Sequence, residues 1–141
     1  DAPTAVASEA VALGPGDADD VAALYADGAE NGESPDFYFP SMLDGGCFHG
    51  VRRDGSLVAV AGTHIVSHGE STAAIGNVYT HRAHRGKGYA SMTTAAVTGA
   101  LLTAGVRTII LNVAEHNAAA RRVYEKLGFV AHCRFLEALT A

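Results

Sequence analysis

The apolar positions change period several times along the chain, and each change marks an element. Glu9 to Leu13 reads as a first strand, followed by a Gly14-Pro15-Gly16 turn. Asp17 is placed to cap a helix running to about Ala26, with Val21, Ala22, Leu24 and Tyr25 on its inner face. Gly28 to Glu33 is polar loop. Ser34-Pro35 then signals a second helix carrying Phe37, Tyr38, Phe39, Met42 and Leu43, short or broken because Pro40 falls inside it. Cys47 to Arg53, Asp54-Gly55, and Ser56 to Ser67 read as a β-hairpin. Ala73 to Thr80 is the next strand. From Tyr89 the period becomes helical, with Met92, Ala96, Val97, Ala100 and Leu101 recurring until Gly105. Val106 to Val113 is a continuous apolar run that suits a central strand. The helix between it and the preceding strand predicts that the two strands are parallel. Asn117 caps a helix to Leu127, stopped by Gly128, and Phe129 to Phe135 is a last strand. The reading is an α/β fold: a mixed, twisted central sheet of six or seven strands flanked by helices.

The most informative stretch joins the strand at Ala73–Thr80 to the helix at Tyr89. It contains Arg85-Gly86-Lys87-Gly88-Tyr89-Ala90. A helix start leaves backbone N–H groups unpaired and favours negative charge. Glycines allow a phosphate close to the backbone, and Arg85 and Lys87 add charge. The physical reading is an anion site suited to a pyrophosphate. No window fits a P-loop. A dinucleotide fingerprint fails at Ser91, and the next strand ends at Asn112 rather than at an acid.

Composition narrows the classes. A length of 141 residues predicts one domain with residues 1–8 as a loose arm, and 48% apolar with 18% charged residues excludes wholesale disorder. No apolar run reaches membrane-spanning length and no secretory pattern is visible, so the expected location is cytoplasmic, without a membrane partner. Cys47 and Cys133 have no metal-ligand spacing and read as free thiols; no metal is expected. Residues 1–70 hold twelve Asp/Glu against two Lys/Arg, and residues 71–141 hold three against eight. The basic half suits a polyanionic ligand, and the acidic half suits attraction of a cationic amine. Overall acidity argues against nucleic acid.

Arg85, Gly88 and Ala90 fill the pattern [RQ]-x-x-G-x-[GA]. Ile75-Gly76-Asn77-Val78-Tyr79-Thr80 precedes it, Leu111-Asn112-Val113 follows the helix, and Asn117 to Phe129 reads N-x-x-A-x-x-x-Y-x-x-x-G-F. In this order and spacing, residues 47–137 resemble the GNAT superfamily of acyl-CoA-dependent N-acyltransferases, in its acetyltransferase branch. The resemblance implies splayed parallel central strands with acetyl-CoA (coenzyme A) bound in the opening. Val78, Tyr79 and Thr80 would pair with the pantetheine arm, and Arg85, Gly86, Lys87, Gly88, Tyr89 and Ala90 would hold the pyrophosphate. Asn112, Asn117 and Ala120 would lie along the cofactor, and Tyr124 would act as general acid on the leaving thiol. The acceptor would be a small-molecule amine or a basic peptide. A non-catalytic CoA-binding module of the same fold is the alternative, because Ile75–Thr80 holds no carboxylate to serve as base. Glu70, His64, His81 and Glu115 are the candidates, beside a water chain; His84 is expected on the exposed loop. The short tail after Phe129 leaves little room for two strands. A missing or partner-supplied strand would leave an edge that favours a homodimer.

Overall fold

The computed structural model describes residues 9–34, 38–45, 47–67, 69–112, 118–133 and 136–140. They form a mixed α/β fold. Seven strands make one sheet: β1 (Val11–Leu13), β2 (Phe48–Arg53), β3 (Ser56–Ser67), β4 (Thr72–Thr80), β5 (Thr108–Asn112), β6 (Val130–Cys133) and β7 (Leu136–Thr140). Their order is β1-β2-β3-β4-β5-β7-β6. Among the described residues only β4 and β5 run parallel, joined by the helix α3 (Tyr89–Thr103). The remaining helices are α1 (Ala18–Ala26), a single turn α2 (Met42–Gly45), and α4 (Ala118–Lys126). Arg82–His84 is a 3₁₀ turn.

The sheet has two differently built faces. On one, α3 and α4 bury Ala95, Val97, Leu101, Tyr124 and Leu127 against Ile75, Ile109 and Leu111. On the other, α1 and α2 bury Val21, Leu24, Tyr25 and Leu43 against Phe48, Val60 and Tyr79. β3 is buried without interruption from Leu57 to Thr63, as a strand covered on both faces must be.

β4 changes face partway along. Gly76 pairs with Gly62, but the next aligned pair is Tyr79 with Val60, so β4 spends an extra residue there. Asn77, with φ 57°, lies in this bulge. Before it Ile75 packs toward α3; after it Val78 packs toward α3 and Tyr79 toward α1. The parallel ladder with β5 stops just before, at Ile75–Leu111, while β4 continues to Thr80. Among the described residues, Gly76 to Thr80 therefore has no ladder partner on the β5 side.

Several expectations need correction. Asp17 stands at the start of α1 but makes no capping bond. Its Oδ2 accepts from Gly14 N at 2.9 Å and its Oδ1 from Arg52 at 2.9 Å, so it ties the preceding turn to the hairpin. The Ser34 hydroxyl donates to Tyr25 O at 2.6 Å, and the expected helix start at residues 35–37 lies outside those described. Among the described residues of this stretch, helix appears only past Pro40, whose ring and missing N–H disfavour a helix interior. The tail does hold two strands. β6 and β7 form an antiparallel hairpin, and β7 inserts between β5 and β6. Strands of four and five residues suffice, so no subunit has to supply one. The inner face of α3 also includes Thr93, Thr94 and Thr98, all 0% exposed. Apolar residues surround this helix, so periodicity marked no single face.

Candidate active site

A cavity of about 560 Å³ opens where β4 leaves its ladder. Its walls are Val78–Thr80 of β4, the loop from Arg85, the first turn of α3, Val123 and Tyr124 of α4, and Glu33. The first backbone bond of α3 runs from Met92 N to Gly88 O at 3.1 Å. Tyr89, Ala90 and Ser91 precede it, so their amides lack intrahelical partners beside the cavity. Gly86 and Gly88 have φ of 80° and 83°, a region a side chain strongly disfavours. They turn the chain into the helix with open space above both. The arrangement is a concave cavity beside free helix amides, of the kind that can hold an anion.

The two loop cations differ. Lys87 is exposed, with no ion-pair partner among the described residues. Arg85 is committed: Nε donates to Thr80 O at 3.0 Å, and Nη1 and Nη2 donate to the Glu33 carboxylate at 3.2 and 3.1 Å. Its guanidinium also lies 5.3 Å from the Tyr79 ring centre. Arg85 therefore shapes the loop and is not the free positive charge that its sequence position suggested.

Behind the loop, Asp27 at the C-terminal end of α1 gathers the strand end. It accepts from the Tyr79 hydroxyl at 2.7 Å and from Arg82 N at 3.0 Å, and its Oδ1 is 3.2 Å from His81 Nε2. The Arg82 N–H, followed by the Tyr79 hydroxyl, holds the Asp27 carboxyl well below the usual carboxylate range. Burial, then Asp27, pushes the Tyr79 phenol up to about 12. His81 Nδ1 accepts from Ala83 N at 3.0 Å and so closes the 3₁₀ turn.

Tyr124 is 8% exposed, stands edge-on to Phe129, and opens on the cavity. Burial pushes its phenol up to about 12, so it stays protonated at any working pH. Asn112 ends β5, paired with Leu136. Ala120 lies on α4, and Asn117 is outside the described residues. Among the candidate bases, Glu70 is exposed in the turn before β4. The full length of that strand, roughly 26 Å at about 3.3 Å per residue, separates it from the loop. His81 is engaged with Asp27, and Glu115 lies outside the described residues. His64 packs over Gly76 from β3. His84 is half-buried rather than on an open loop: it lines the cavity, its ring meets His81 and Tyr89, and its Nδ1 is buried without a partner. Asp27 and Glu33 were invisible in the sequence, which shows only two acids among many in a polar stretch.

Residues 19–129 match the model of the acetyltransferase (GNAT) family, and the chain belongs to that family. It is 39% identical over 62 residues to the uncharacterized N-acetyltransferase YycN of Bacillus subtilis, a match covering 44% of this chain and 40% of the relative. A GNAT-family protein of Novosphingobium aromaticivorans superposes with TM-score 0.76 and 30% identity, covering 94% of this chain and 55% of that one. The chain thus spans about half the length of these two. The PaiA N-acetyltransferase of Thermoplasma acidophilum, solved with coenzyme A, shares the fold at TM-score 0.70 and 14% identity, over 94% of this chain and 98% of that one. Among the described residues no helix is long and apolar enough to cross a membrane.

Proposed function

We propose that the chain is an N-acetyltransferase that moves an acetyl group from acetyl-CoA to an amine. One observation carries the reading: a single cavity joins an unladdered strand edge, a set of unpaired helix amides and a buried tyrosine. A long ligand with a peptide-like arm and a pyrophosphate fits that series. Backbone groups of Val78 and Thr80 pair with the arm as an added strand would. The amides from Gly86 to Ala90 take the pyrophosphate, with Lys87 as the mobile cation. As the family resemblance implies, Asn112, Asn117 and Ala120 would belong to the same cofactor site. When bound, acetyl-CoA supplies an activated thioester.

The amine nitrogen bonds to the thioester carbon, the carbon–sulfur bond breaks, and the nitrogen sheds one proton to water, which returns one to Tyr124 at the end of the turnover. Tyr124, protonated and facing the cavity, hydrogen-bonds the departing sulfur and supplies its proton. Positioned acid catalysis of this kind contributes roughly 10²–10⁴-fold. An acceptor that is a small amine or a basic peptide suits the acidic first half of the chain. The absence of a carboxylate on β4 supports the second reading, a non-catalytic CoA-binding module.

Thermal-shift titration with acetyl-CoA, CoA, ATP and NADH tests the first step. A ligand at one hundred times its Kd stabilises by about 2.7 kcal/mol, roughly 3–6 °C for this size. A shift with acetyl-CoA and CoA alone is expected, and none with either overturns the reading. Tyr124→Phe should keep acetyl-CoA affinity and lower turnover at least about tenfold. Unchanged turnover removes Tyr124 from the chemistry, and no CoA release by wild type with any amine favours the binding module.

A further inference from the structure

We propose that His84 is a phosphate-binding residue of the cavity, donating a hydrogen bond from Nε2 to the pyrophosphate of coenzyme A. The inference rests on the acetyltransferase reading above.

The ring is firmly mounted. His84 ends the 3₁₀ turn that follows β4, and its backbone N–H donates to His81 O at 2.9 Å. His81 is itself fixed at both ring nitrogens: Nδ1 accepts from Ala83 N at 3.0 Å, and Nε2 lies 3.2 Å from Asp27 Oδ1. The His84 ring stands edge-on to His81, with centres 5.7 Å apart, and tilts against the Tyr89 ring at 6.4 Å. Tyr89 is buried at the first position of α3, with the Arg53 guanidinium 4.9 Å from its ring centre. The imidazole therefore meets one ring from the turn and one from the helix start.

Its hydrogen-bonding capacity is unspent. Nδ1 is buried without a partner, and among the described residues no hydrogen bond or ion pair engages the ring. A proton on Nδ1 would find no acceptor, so the network assigns it to Nε2. Nε2 is not one of the buried unpaired atoms, and His84 lines the cavity, so this N–H is the edge left for a ligand. Buried polar atoms without partners are rare in folded chains, and each calls for a reason. Packing alone favours a carbon ring between His81 and Tyr89. The second nitrogen is what a histidine adds.

The position suits an anion. His84 directly precedes the loop, which has open space above Gly86 and Gly88. The first residues of α3, whose amides have no intrahelical partner, line the same cavity. The other side-chain donors of the loop are less suited. Arg85 is bonded to Thr80 O and Glu33. Lys87 is exposed and is no part of the cavity wall. The Tyr79 hydroxyl donates to Asp27. The loop amides and the His84 N–H thus form one set of donors fixed before the ligand arrives. An N–H aimed at an ionised phosphate oxygen makes a charge-assisted bond. A mounted ring makes it without the side-chain entropy that a lysine loses.

Two variants separate this role from packing, because the two roles rank them in opposite order. His84→Gln brings an amide N–H near the Nε2 position but lacks the ring. His84→Phe keeps a ring between His81 and Tyr89 but lacks the donor. Isothermal titration with CoA and with 3′-dephospho-CoA reads the difference. His84→Phe should weaken both ligands about tenfold, the scale of one charge-assisted bond. His84→Gln should weaken them by less than about threefold. Without ligand, His84→Phe should melt no lower than wild type, since it removes a buried unpaired nitrogen. If it folds poorly, His84→Leu removes the donor with the same expected loss. Loss in His84→Gln with near wild-type binding by His84→Phe assigns the ring to packing and overturns the proposal. Equal binding by all three proteins, or equal losses in both variants, also overturns it. So does a loss confined to CoA, which would put the donor at the 3′-phosphate. Wild type that binds neither CoA nor 3′-dephospho-CoA overturns the acetyltransferase reading, and the proposal with it.

Discussion

The two faces of β4 are built in opposite ways. The α3 face comes from consecutive chain: strand, loop and helix run unbroken from Thr72 to Thr103. The α1 face is gathered from Tyr25, Asp27, Glu33, Phe48, Gly62 and His64, far apart in sequence, which converge on Gly76 to Arg85. On the acetyltransferase reading, the first face would present backbone to the cofactor, and the second would present side chains to the acceptor. Backbone recognition needs a fixed local sequence, whereas side-chain recognition can be reassembled for a new acceptor. The charge asymmetry has the same geometry. Asp27 and Glu33 from the acidic half hold the basic loop, and Asp17 and Asp20 hold Arg52.

Stability gives the sharpest contrast between the faces. Leu101, on the inner face of α3, is 3% exposed in the core with Val97, Ile109 and Leu111. Leu101→Ala should cost about 2–5 kcal/mol in urea unfolding. Gly62→Ala should cost about 1–3 kcal/mol by the reverse route, because the added Cβ meets a Phe48 ring that is 2% exposed. A Gly62→Ala chain as stable as wild type would mean that the α1 face repacks freely, and the contrast would fail.

What the sequence revealed follows the same division. The β2–β3 hairpin was readable because Asp54-Gly55 takes positive φ at both central positions, 53° and 81°. The loop, α3 and the tyrosine of α4 were readable because their spacing is local. The bulges at His64 and Asn77 were not, because a bulge is a property of two paired strands and leaves no period in either. Glu33 and Asp27 carried no signal, since their roles depend on Arg85 and Arg82, more than fifty residues away. The pairing of Arg85 with Glu33 could not be foreseen from charge alone. The C-terminal hairpin was underestimated because two short strands were judged by length rather than by the open edge of β5 waiting for them.

Asp27→Asn tests whether the α1 face holds the loop. Asp27 is 11% exposed and collects bonds from strand, loop and turn. The variant should weaken acetyl-CoA about tenfold, the scale of one charge-assisted bond, with a smaller effect on kcat. The folded carboxyl is depressed, so its stabilising contribution is complete above the ordinary carboxylate pKa, about 3.9. It is lost as pH falls from there through the folded value. Wild type should therefore exceed the variant in melting temperature at pH 7, and the gap should close below about pH 4. A gap constant with pH would assign the loss to packing instead of charge.

Glu33→Gln should have the smallest effect and the most telling sign. The Arg85–Glu33 pair is 43% and 38% exposed, so solvent screens it and melting should scarcely move. Yet Glu33 lines the cavity and Asp27 does not. A carboxylate in the wall of a polyanion site repels its ligand while it holds Arg85. Removing the charge should tighten acetyl-CoA by about two- to fivefold and steepen its salt dependence, because Arg85 becomes available to the phosphates. Weaker binding would show that Glu33 is needed, like Asp27, to hold the loop. Tighter binding would separate the two acids into one that builds the site and one that limits its grip, which favours product release.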